Sequence, residues 1–189
     1  VTNRNFFGWE IPGPWFLSLN ALFIIIFAPI VASVWVRLGK YDPNVVVKFG
    51  IAILLVGLGF GALVFGIQTT GEGAKIAMIW LVLAYFFHTL GELCLSPVGL
   101  SSVTKLAPQK IVGFMMGVWF LATAASEFIA AILANIAQLE TNNGEVADVA
   151  LAVEAYKNLF STLFYAGIII GGFLLLISPF IKKLMHGVK

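Results

Sequence analysis

Gly91-Glu92-Leu93-Cys94-Leu95-Ser96-Pro97 sets a carboxylate and a proline in the middle of an otherwise apolar stretch running from about Ile76 to Thr104. About 20 apolar residues suffice for a helix to cross a bilayer, so the stretch reads as a membrane span. An ionised carboxylate at the centre of a span costs about 2.5 kcal/mol or more when it faces hydrocarbon. Glu92 therefore faces a cavity or a partner, or it is held neutral or hydrogen-bonded within a bundle for structural reasons. Helical spacing favours the cavity. Tyr85, His88, Glu92, Ser96 and Gly99 recur at steps of three or four and share one face. Leu81, Leu83, Leu90, Leu93 and Leu100 mostly occupy the others.

Within this span His88 lies one turn from Glu92. It reads either as a proton relay or as a histidine that hydrogen-bonds a neighbour. Pro97 removes a backbone donor and frees a carbonyl beside Glu92 and Ser96. That opening is tolerated where backbone lines a cavity, and it serves as a gating hinge or as a static kink. Cys94, the single cysteine, sits in the same apolar run and reads as a small buried hydrophobe, which leaves no disulfide framework or metal cluster.

Outward from the third span, four further stretches qualify: about Pro14 to Val36, Val45 to Ile67, Ile111 to Ala137 and Leu159 to Ile181. Gly39 and Pro43, Gly71 and Gly73, and Pro108 separate the first four. A longer polar loop, 138–157, precedes the fifth, with a turn at Asn142-Asn143-Gly144 and a possible short surface helix over Glu145 to Lys157. The fold class expected is an all-α membrane protein with five transmembrane helices. Composition agrees: 60% of residues are hydrophobic and 11% charged, with a mean hydropathy of +1.01, against about 25% charged in a soluble domain. A net charge of +2 leaves no footprint for nucleic acid.

The basic residues set an orientation. Arg37, Lys40, Lys48, Lys105, Lys110, Lys182, Lys183 and Lys189, eight of the eleven, fall at one set of helix ends. Arg4, Lys75 and Lys157 fall at the other, with Glu10, Glu72, Glu140, Glu145, Asp148 and Glu154. The first set is expected to be cytoplasmic, placing the N-terminus outside and the C-terminus inside. Five helices, an outside N-terminus and no signal region suggest a piece of a longer protein.

Other spans hold further candidates. Trp119, Thr123 and Glu127 follow one another at steps of four in the fourth span. Trp119 walls a pocket, sits against an organic cation, or simply packs. Glu127 lies nearer an interface than Glu92, and a structural role is equally open to it. Gly113 and Gly117 form a small-xxx-small pair expected to make a close helix contact. Asn20 is the one strongly polar side chain past the first turn of the first span. No phosphate loop, zinc spacing or nucleophile–base pair is written here, so an enzyme is not expected and no cofactor is implied.

Three long runs carry a resemblance. These are Gly91 to Ser101 with Thr104-Lys105-Leu106-Ala107-Pro108, Gly113-Phe114-Met115-Met116-Gly117-Val118-Trp119-Phe120-Leu121-Ala122-Thr123, and Trp15-Phe16-Leu17-Ser18-Leu19-Asn20 followed by Phe23 to Pro29. The sequence resembles the proton-coupled oligopeptide transporter family. The resemblance implies the eighth to twelfth helices of a major facilitator fold, most of its C-terminal six-helix bundle. It also implies symport of di- and tripeptides with protons, as the coupling ion, across the bacterial inner membrane. Glu92 would then meet the peptide's amino terminus with Ser96 beside it, Trp119 would wall the pocket and take part in gating, and Asn20 would contact the peptide. Leu17 and Ala21 depart from the glutamine and proline common in the family. The family's N-terminal proton-coupling motif and seventh helix are not in this sequence, so the partner expected is an N-terminal helical bundle of the same protein. Lysine and arginine are missing from the depths of the spans, so cations for the peptide carboxylate are expected in that bundle. A carrier of the same fold for another solute, a drug or nitrate, and a non-transporting membrane interaction subunit remain the competing readings.

Overall fold

The computed structural model describes residues 2–3, 5–6, 9–13, 15–70, 75–136, 141–142, 145–146 and 149–184. Arg4, Pro14, Gly71, Glu72, Gly73, Glu140, Asn143, Gly144, Asp148 and Lys189, each used in the sequence reading, lie outside the described residues. Five helices dominate: α1 (Trp15–Leu38), α2 (Val45–Thr69), α3 (Met78–Leu106), α4 (Val112–Ile136) and α5 (Val149–Leu184). All five are long and apolar enough to cross a membrane. Two-residue pairings, absent from the sequence reading, join Thr2–Asn3 to Ile76–Ala77, Asn5–Phe6 to Trp9–Glu10, and Thr141–Asn142 to Glu145–Val146.

The helix ends follow from local chemistry. Gly39, at φ +46°, takes the left-handed conformation that ends α1, and Asp42 N–H donates back to its carbonyl at 3.3 Å. Asn44 caps α2, its Oδ1 accepting from Val47 N–H at 3.0 Å. Beside this turn Lys48 is 8% exposed. Its Nζ pairs with the Asp42 carboxylate at 2.8 Å and stands 4.9 Å from the Trp35 ring centre. Lys48 thus closes the α1–α2 turn rather than standing free at the membrane surface.

Packing centres on α2, which lies against α5 and α3, while α1 and α4 each lie against α3. Glycine decides the closest approach. A Cβ on Gly167 would stand 2.7 Å from the Gly57 Cα, and one on Gly171 would stand 3.0 Å from the Gly50 carbonyl oxygen. Backbone therefore meets backbone between α2 and α5, as small residues permit where lipid offers no hydrophobic drive. Among the described residues, no atom of another helix comes within 4 Å of a Cβ built at Gly113 or Gly117, so the close contact expected of that pair is not made among them. Spacing alone does not say which face of α4 is turned to a neighbour.

The fifth helix differs from the sequence reading. It starts at Val149 rather than near Leu159 and is 36 residues long, so part of the expected loop and its surface helix run straight into the span. Tyr156 stacks on Phe160 at 5.7 Å, and the alanine- and leucine-rich segment before them favours continued helix over a break.

Candidate functional site

Near the middle of α3 the buried Thr89, 1% exposed, donates from Oγ1 to the Asn20 Oδ1 at 2.7 Å. The Asn20 amide in turn donates from Nδ2 to the Glu92 Oε2 at 3.1 Å. Asn20 is on α1, so the three side chains bridge two helices. The helices are clamped together by Phe23 and Phe27 on α1 against Phe86 on α3, with ring centres 5.9 and 5.2 Å apart. Glu92 itself is exposed, with Ser96 and Pro97 exposed one turn further along. Its partner here is a neutral amide, and the described ion pairs supply it no cation. The Asn20 amide takes one lone pair of Oε2, so the Glu92 carboxyl group keeps acceptor capacity for a ligand that brings donors or positive charge.

Two turns beyond Glu92 on the same face, Gly99 receives the indole of Trp119 from α4, and a Cβ at Gly99 would collide with that ring. The glycine is what lets α4 bring the edge of the tryptophan ring against α3. A cavity of about 420 Å³ adjoins them, lined by Phe49, Ser102, Leu106, Met115 and Trp119 among others and apolar apart from Ser102.

His88 is not brought to Glu92. Its ring lies 4.7 Å from that of Phe60 and fills the space left by Gly59 on α2, with Nε2 buried and without a hydrogen-bond partner. Residues four apart on a helix differ by about 40° in direction, enough here to turn His88 to α2 and leave Glu92 exposed. Glu127, on the exposed part of α4, takes part in none of the described hydrogen bonds or ion pairs. The residue that sequence reasoning missed is Thr89. It precedes Glu92 by three positions and so was legible as a neighbour on that face.

With this geometry in view, the model of the POT family matches residues 2–159 of the chain. This chain belongs to the POT family. Among POT-family relatives, it is 45% identical over 181 residues to the uncharacterized transporter YclF of Bacillus subtilis (strain 168), covering 96% of the chain and 34% of that protein. It is 34% identical over 192 residues to the peptide transporter YePEPT of Yersinia enterocolitica, covering 100% of the chain and 35% of that protein. A crystal structure of a mutant of the peptide transporter POT in complex with alafosfalin superposes with a TM-score of 0.83 at 41% identity, covering 98% of the chain and 35% of that structure. The five helices are thus those of a major facilitator membrane protein, and the POT-family proteins named here are transporters rather than enzymes. The chain spans about a third of the length of the relatives it matches.

Proposed function

We propose that this chain forms the C-terminal half of the binding site of a proton-driven symporter of di- and tripeptides. The observation that carries the reading is Glu92, exposed near the middle of an apolar helix and held by a neutral amide rather than a cation. Peptides share an ammonium, a carboxylate and a backbone whatever their side chains, and a fixed anion suits the ammonium. Asn20 orients Glu92 and offers its amide to the peptide backbone, Ser96 adds a hydroxyl beside it, and Trp119 walls the site where α3 and α4 meet. The likeness to peptide transporters, one of them bound to alafosfalin, supports this over an anion carrier, for which an uncompensated carboxylate is the wrong charge.

The peptide carboxylate needs a cation, and Lys48 is spent on Asp42. In this reading the cations come from an N-terminal bundle of the same protein, which rocks against this one to alternate access. The protein sits in a bacterial inner membrane, with the lysine-rich helix ends cytoplasmic. The test is uptake of a labelled dipeptide by the full-length transporter in proteoliposomes. An inward proton gradient is expected to drive accumulation above the external concentration. Uptake that only equilibrates, with or without the gradient, would remove proton coupling from the account.

A further inference from the structure

The Thr89 hydroxyl has one proton and two acceptors within reach, the Asn20 Oδ1 at 2.7 Å and the Tyr85 carbonyl oxygen at 2.8 Å. The choice between them fixes the amide. If the proton went to Tyr85, the hydroxyl would turn a lone pair on Asn20 and draw the amide nitrogen toward itself. The Asn20 oxygen would then face the Glu92 carboxylate, and an ionised carboxylate has no proton to offer it. Only donation to Asn20 satisfies Thr89, Asn20 and ionised Glu92 together. We infer that Thr89 is a positioning residue. Its hydroxyl sets the direction of the Asn20 amide, so that the NH2 faces Glu92 and presents the carboxylate to a ligand ammonium.

Burial makes this a fixed device. Thr89 is 1% exposed, so water does not replace its hydroxyl, and the aromatic contacts of Phe86 with Phe23 and Phe27 keep the two helices in register. The inference rests on Glu92 as the ammonium ligand and deepens that reading.

Three variants of the full-length transporter test it through dipeptide uptake kinetics. Thr89→Val keeps the shape and removes the hydroxyl, Thr89→Ser keeps the hydroxyl and removes a methyl, and Glu92→Gln removes the charge. Thr89→Val is expected to raise KM about tenfold while kcat stays within about twofold, because the lost hydrogen bond serves a charged group. Thr89→Ser is expected to return KM close to the wild-type value, which a packing role would not do. A Thr89→Val protein with wild-type KM beside an impaired Glu92→Gln protein would overturn the inference and leave the proposed function standing. So would a Thr89→Ser protein as impaired as Thr89→Val. Glu92→Gln with wild-type KM would overturn the reading beneath it.

Discussion

Glu92→Gln in the full-length transporter is expected to lower kcat/KM for dipeptides by about thirtyfold, on the order of what one charge-assisted interaction with an ammonium contributes. The substitution keeps the length of the side chain and its ability to accept from Asn20, whose amide lies 3.1 Å from Oε2. What it removes is the charge. The loss should therefore appear as weakened binding, with expression and thermal stability close to wild type. Glu92→Asp keeps the charge but withdraws it by one methylene, and is expected to fall between the two. Initial rates of labelled dipeptide uptake in proteoliposomes measure both.

The second large effect concerns the scaffold. Gly167→Val should lower the thermal midpoint of the purified protein by about 10 °C, because overpacking a filled interface displaces backbone rather than a flexible side chain. The new Cβ would stand 2.7 Å from the Gly57 Cα and 3.1 Å from the Gly57 nitrogen, and neither can yield without moving α2. Movement of α2 would be passed to α3, since His88 fills the space over Gly59 and the Ala52 carbonyl sits over Gly91. Fluorescence-detected size-exclusion after heating would check it. A Gly167→Val protein that melts with the wild type would show that α2 and α5 do not meet backbone to backbone.

How much of this was legible in the sequence depended on the kind of signal. Span number followed from hydropathy, because lipid leaves few alternatives to helix for a long apolar run. Glu92 was legible for the same reason, as a charge where charge is costly. Asn20 stood out as the lone amide in its helix, although nothing in the sequence said that it reaches Glu92, 72 positions away. Thr89 was passed over because a threonine in an apolar helix ordinarily bonds the carbonyl four residues back, and Thr89 is placed to do that as well. His88 shares a face with Glu92 by spacing, yet a step of about 40° along that face suffices to turn its ring to α2. The glycines show the same limit from the packing side. Gly113 and Gly117 have the spacing of a close contact and meet no other helix within 4 Å among the described residues, whereas Gly57 and Gly167 make one. Spacing says that two residues share a face, and only the arrangement of neighbouring helices says what the face meets. The start of α5 escaped because Val149 to Asn158 is helix-forming without being apolar enough to read as part of a span.

If Glu92 holds the peptide's ammonium, the purified full-length transporter should distinguish dialanine from N-acetyl-dialanine, which lacks the charged amine and keeps the rest of the peptide. Wild-type protein is predicted to favour dialanine about thirtyfold or more, and Glu92→Gln to bring the ratio close to one, because the charge that distinguishes the ligands would have no partner. A preference that survives Glu92→Gln unchanged would place the ammonium site elsewhere.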